Sequence, residues 1–229
     1  MTVLFIIPSY NAQENIEALT YSIISQQSQD WRAVVIDDCS ESPLVLPDYC
    51  TLKFHLIRND ERQYALKNII SAVKAHSSKD DIIAVIDGDD SLCNVNTVDI
   101  LMNEYEAGHD VVWTAHKWDI NGLNISRDLL PRDPYQTPWV SSHLRTFKAS
   151  LLDQIPESNF QDNVGDWFKR GYDQALMLPL LTVASSKKYV SEVCYLYNIE
   201  SCSISDRDWA EAKQLQTINF VRSRGFLHE

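Results

Sequence analysis

"IIAVIDGDDSL" (residues 82–92) carries an apolar, mostly β-branched run straight into Asp87, Asp89 and Asp90. A short apolar run of this kind predicts a strand buried on both faces. The acids at its end need an explanation. At an effective dielectric of about 20 and a spacing of about 5 Å, each pair of ionised carboxylates repels by roughly 3 kcal/mol. Hard oxygen ligands separated by one small residue can remove that repulsion by gripping Mg²⁺ or Mn²⁺, whose other positions stay open to phosphate oxygens. The competing reading is a solvated acidic turn, because Asp-x-Asp is a short and common string.

Working outward, "TVLFII" (residues 2–7) reads as another buried strand. The following segment places Ile16, Leu19, Ile23 and Ile24 on one helical stripe, with Asn11 and Glu14 spaced as a helix cap. "RAVVID", "LKFHLI" and "DVVWTAH" read as strands. Leu66, Ile69, Ile70 and Val73 form one helical face, and Val98, Leu101, Met102 and Tyr105 form another that ends at Gly108. Strands alternating with amphipathic helices predict an α/β fold, a mostly parallel, Rossmann-like sheet with helices on both faces. Ligands in such sheets bind beyond the carboxyl ends of the strands, where "PSYN", "DDCS" and "DGDD" all fall. From Lys117 onward the order is less regular. It predicts a loop through residues 121–139, a helix in "HLRTFKASLLDQI", an acidic loop in "ESNFQDNVGDW", a helix in "YDQALMLPLLTVA", a strand in "KKYVSEVCYLYN" and a last helix over residues 208–224. Residues 1–118 and 119–229 are therefore two halves of a single domain, the second completing the pocket of the first.

A formal charge of −12 on 229 residues provides no basic footprint, which argues against nucleic acid or an anionic membrane as partner. The five cysteines, Cys39, Cys50, Cys93, Cys194 and Cys202, lack a CxxC pair, so a disulfide framework and a zinc site are both unsupported and a reducing cytoplasm fits. No signal peptide or membrane span is legible: Pro8 and Pro179 interrupt the two apolar stretches that come nearest. The first glycine is Gly88, so a glycine-rich phosphate cradle is absent and any bound phosphates must be neutralised otherwise.

"IIPSYNAQENI", "VVIDDCS" and "VIDGDDSL", in that order and spacing, resemble the nucleotide-binding half of the family 2 glycosyltransferases, inverting enzymes of GT-A fold. "SSHLRTFKASLL", "YDQALMLPLL" and "YLYN" are similar to a bacterial and viral subgroup. The resemblance implies a nucleotide-sugar donor, a glycan or glycoconjugate acceptor, and Mn²⁺ or Mg²⁺ as cofactor. It implies that Pro8 and Tyr10 pack on the base, that Asp38 hydrogen-bonds a uracil edge with Asp37 in support, and that Arg62 reaches the diphosphate. Asp89 is implied as the direct metal ligand, Asp87 as a ligand to ribose or a metal-bound water, and Asp90 as their support. Asp173 matches the catalytic base, with Asp166 and Asp162 as alternatives, because Tyr172 stands where the family has a second acid. His143 and Arg145 are expected to position the acceptor or the leaving phosphate. Trp139, like Trp118, is a candidate sugar platform, with core packing as the stronger expectation. His55 and His116 read as structural. Cys39 stands where the family usually has glycine. Two other functions stay open: a haloacid-dehalogenase-like phosphatase, because Ser91 falls two positions after Asp89, and a nucleotide-sugar or glycan-binding protein without turnover.

Overall fold

The computed structural model describes residues 1–50, 52–199 and 207–228. Its eight strands are β1 (Val3–Ser9), β2 (Trp31–Asp37), β3 (Phe54–Arg58), β4 (Ile82–Val85), β5 (Ser91–Leu92), β6 (Val111–Trp118), β7 (Arg145–Lys148) and β8 (Lys187–Tyr197). Five helices accompany them: α1 (Ile16–Ile24), α2 (Tyr64–His76), α3 (Thr97–Glu106), α4 (Tyr172–Val183) and α5 (Arg207–Arg224). All strands join one sheet in the order β3-β2-β1-β4-β7-β6-β8-β5. The β1–β2, β2–β3, β1–β4 and β6–β8 ladders are parallel, whereas β7 runs antiparallel between β4 and β6 and β5 antiparallel on β8.

The apolar runs of β1, β2 and β4 are continuous because both sheet faces are covered. Leu4, Ile6, Val34, Ile36, Ile83 and Val85 point toward α2 and α4, and the alternate residues Val3, Phe5, Ile7, Ala33, Val35, Ile82 and Ala84 point toward α1 and α3. The sequence-predicted helical stripes supply the other side of each core, through Leu66, Ile69 and Val73 on α2 and Val98 and Leu101 on α3. Among the described residues no helix is long and apolar enough to cross a membrane. Cys39, Cys50, Cys93 and Cys194 are free thiols, and Cys202 lies outside the described residues.

Two local expectations are corrected. "HLRTFKASLLDQI" is not an α-helix but strand β7 followed by a 3₁₀ helix over Ala149–Gln154. Its side chains alternate, Arg145 and Phe147 to one face and Leu144 and Thr146 to the other, and the gap between β4 and β6 takes up its backbone hydrogen bonds. Asn11 does not cap α1, which begins at Ile16 without a side-chain cap. Asn11 instead adopts φ 52° in the turn after β1 and its Oδ1 accepts from the Glu41 N–H at 3.0 Å. The loop of residues 157–167 also contains a short 3₁₀ helix, Glu157–Phe160, closed by a bridge from Gln161 to Trp167.

Candidate active site

The carboxyl ends of β1, β2 and β4 are tied together by backbone bonds, Asp38 N–H to Ser9 O at 2.8 Å and Gly88 N–H to Pro8 O at 3.1 Å. Beyond them opens a cleft of about 290 Å³. Pro8, Tyr10, Asp38, Arg62, Asp87, His143, Arg145 and Asp173 all line it, although they come from six separate stretches of chain. Asp89 lines an adjoining hollow that shares Pro8, Tyr10, Arg62 and Asp87 with the cleft. Trp139 lines neither; it is half-buried against the core, in line with the packing expectation. Gly88 is required between the two aspartates, since a Cβ there would lie 2.9 Å from Ser9 Cβ and 3.0 Å from its Cα.

At one end of the cleft, Asp38 Oδ1 accepts from Asn59 Nδ2 at 2.8 Å and from the Gln63 N–H at 2.7 Å, while Oδ2 accepts from the Tyr64 N–H at 2.8 Å. This carboxylate at the end of β2 thereby caps the start of α2. A carboxylate has about four acceptor sites, so roughly one remains for a ligand. Asp37 is buried and inward, accepting from the Ser40 and Leu44 N–H groups and from Arg58 Nη1. Although burial opposes it, those bonds hold the Asp37 carboxyl below its ordinary value. The guanidinium of Arg62 lies over the Tyr10 ring, 3.4 Å from its centroid. Cys39 has φ 61°, in the left-handed region that glycine enters without cost, so the turn is kept by a side chain that tolerates it poorly.

At the other end sits a buried polar cluster. Arg145 Nη2 donates to Asp87 Oδ2 and to the Tyr172 hydroxyl, both at 2.8 Å, and the Tyr172 hydroxyl donates to Asp87 Oδ1. Arg145 is 1% exposed and its Nε has no partner. Asp90 is buried too, with Oδ2 accepting from Tyr195 at 2.6 Å and Oδ1 from the Asn198 N–H at 2.8 Å. Burial first, then the charges of Asp87 and Asp89, push the Asp90 carboxyl up to about 9. His143 stacks on Tyr195 at 4.6 Å and on Tyr197 at 5.1 Å. Burial and then Arg145 and His116 hold its imidazole well below the usual histidine range, so it is neutral. Asp173 opens α4; burial raises its carboxyl above the ordinary value, while Arg145 and the Gln174 N–H pull it partly back.

The chemistry of this end suits a divalent cation. Asp87, Asp90 and His143 each offer a ligand atom within 4.8 Å of the others, and the buried Nδ1 of His143 has no hydrogen-bond partner. The alternative bases lie elsewhere: Asp166 and Asp162 line a separate hollow, and Asp162 Oδ1 is occupied by the Val164 and Asp166 N–H groups. Sequence reasoning missed the part of Tyr172 and Tyr195 in this cluster. The signal available was "CYLYN", whose i and i+2 residues share one strand face.

The sequence model of the family described as Glycosyl transferase family 2 matches residues 4–162. The chain belongs to that family. An uncharacterized glycosyltransferase of Haemophilus influenzae is 33% identical over 85 residues, which are 37% of this chain and 28% of that protein. The crystal structure of S. aureus TarS superposes with a TM-score of 0.67 at 20% identity, covering 95% of this chain and 39% of TarS. TarS 1–349 in complex with UDP-GlcNAc gives 0.65 at 17% identity, over 96% of this chain and 66% of that one. The mannosyltransferase PcManGT from Pyrobaculum calidifontis, in complex with GDP-Man and Mn²⁺, gives 0.60 at 18% identity, over 99% and 65%. This family 2 chain thus has the expected GT-A-like fold, while spanning under a third of the curated relative and about two fifths of that TarS chain. The phosphatase alternative falls with the family assignment.

Proposed function

We propose that this family 2 chain is a metal-dependent inverting glycosyltransferase that moves a sugar from a nucleoside diphosphate donor, a UDP-sugar, to a hydroxyl of a glycan or glycoconjugate. The observation that carries this reading is the convergence of Asp38, Asp87 and Asp173 on one cleft at the carboxyl ends of the strands. The remaining acceptor site of Asp38 takes an imide N–H of the base, and Tyr10 and Pro8 pack on its ring. Donor binding moves Arg62 off Tyr10 toward the diphosphate, since the face the base would use is covered by that guanidinium. A cation held at Asp87 within the aspartate cluster, Mn²⁺ or Mg²⁺, would supply charge stabilisation for the departing diphosphate. Arg145 and Tyr172 hold both oxygens of Asp87, so these two are positioning residues for it.

Asp173 takes the proton of the acceptor hydroxyl, from the side of the sugar opposite the leaving group, so that displacement is in line. Its place at the cleft wall, beside Tyr172 and Gly171, supports that role. His143 lines the cleft beside Arg145, whereas Trp139 does not line it and packs against the core. A reducing, cytoplasmic setting is part of this reading, supported by the free thiols of Cys39, Cys50, Cys93 and Cys194. The test is a product assay over a panel of nucleotide sugars with Mn²⁺ and a mixed glycan acceptor pool. Sugar-dependent release of nucleoside diphosphate is the expected result. Tight donor binding with no release under any acceptor would replace the enzyme with a binding protein.

A further inference from the structure

The aspartate ladder after β4 leads naturally to a cation held by Asp87 and Asp89, but the side chains converge differently. Asp89 lines the neighbouring hollow, whereas Asp90 turns inward and brings a carboxylate oxygen near Asp87 and His143. We propose that the cation of this site is bound by Asp87, Asp90 and the imidazole of His143, a mixed oxygen and nitrogen set, rather than by the Asp87–Asp89 pair. The inference rests on the cation-dependent reading above and narrows it to a ligand set and a metal preference.

Three observations carry it. The three ligand atoms lie within 4.8 Å of one another, close to twice a metal–oxygen bond of about 2.3 Å, so only a small contraction closes the set. His143 is 9% exposed, yet its Nδ1 has no partner, an arrangement that costs about 1–3 kcal/mol unless something occupies it. The ring is already immobilised between Tyr195 and Tyr197, so binding orders no new side chain. The local arrangement also permits it: Asp87 pairs with one buried guanidinium, Arg145, and the carboxyls of Asp89 and Asp90 follow it directly in the chain, so carboxyl groups outnumber that guanidinium at this corner. Each oxygen of Asp87 and Asp90 accepts a hydrogen bond yet keeps a second lone pair. An imidazole in the set disfavours Mg²⁺, which takes oxygen ligands and keeps its waters, relative to Mn²⁺, which stands higher in affinity for nitrogen donors.

The experiment uses the full chain with Mn²⁺ as probe, with and without UDP, in pulsed electron paramagnetic resonance. Protein grown with natural or ¹⁵N-labelled histidine is compared, which needs no mutation and so no assumption about folding. A nitrogen coupling to Mn²⁺ that changes with the label is expected. It should vanish in His143→Gln, with Mn²⁺ affinity down by about tenfold or more, and persist in Asp89→Asn. Mn²⁺ bound without nitrogen coupling, and lost in Asp89→Asn, overturns this ligand set while leaving the cation-dependent reading intact. Absence of Mn²⁺ uptake under every condition overturns both, and the product assay then decides the transferase reading on its own.

Discussion

At the residue scale the site depends on buried charges held in fixed company. Asp173 acts as a base only when ionised, and burial raises its carboxyl above the ordinary carboxylate range. The kcat/KM profile should therefore climb with pH through a value higher than that of a free aspartate. Arg145 lowers this carboxyl, so Arg145→Gln should move the limb to still higher pH; Asp87, Tyr172 and Arg222 are the other groups that act on this corner. Asp173→Asn should leave donor affinity within about twofold and lower kcat by about 10²–10⁴-fold, read by calorimetry and product release. Equal loss of binding would contradict the division of roles between Asp173 and Asp87. Tyr172→Phe removes one bond from Asp87 and one from Arg145 in a partly buried spot, and should cost about 1–3 kcal/mol in urea unfolding. The identity of Asp173 was legible in "GYDQAL" through resemblance. That Tyr172 would bond an aspartate 85 positions away was not, because no local pattern encodes which residues meet across a cleft.

At the scale of elements, α4 and α5 set the wall that carries Asp173. Gly171 precedes α4 at φ 63°, and a Cβ there would lie 3.2 Å from the Gln214 carbonyl of α5. Gly171→Ala should lower stability by about 1–2 kcal/mol from the left-handed backbone alone, with crowding of α5 adding to it, and a melting curve measures the sum. The seam is also held by Arg222, whose Nε donates to Gln174 Oε1 at 2.6 Å and whose Nη1 donates to the Tyr135 and Thr137 carbonyls at 2.9 and 2.7 Å. Arg222→Ala should loosen α5 and show as faster amide exchange in residues 211–224 before any global unfolding. Helices α1 to α3 were readable because each shows an apolar stripe with helical period. Strand β7 was misread because a short stretch such as "HLRTFKASLL" satisfies either period, and only the vacancy between β4 and β6 selects the extended form.

For the whole molecule, strands from early and late in the chain interleave in one sheet, β7 between β4 and β6 and β8 between β6 and β5, and the cleft draws on both: Asp38 and Asp87 come from early segments, Arg145 and Asp173 from late ones. A ligand that binds there binds only the folded chain. UDP with Mn²⁺ at about 100 times its dissociation constant should add about 2.7 kcal/mol of stability, raising the melting temperature, and the gain should disappear in Asp87→Asn.

The sequence by itself determined the class of fold and the edge of the sheet on which chemistry sits. Continuous β-branched runs and 3.6-residue stripes are local properties, and carboxylates placed at strand ends follow from them directly. Tertiary structure alone decided that β7 enters the sheet, that Asp90 rather than Asp89 turns inward, and that Tyr172 and His143 join the carboxylates. Those outcomes depend on which distant groups share one buried volume, and desolvation there gives each polar atom a strong preference for a partner that sequence proximity does not reveal.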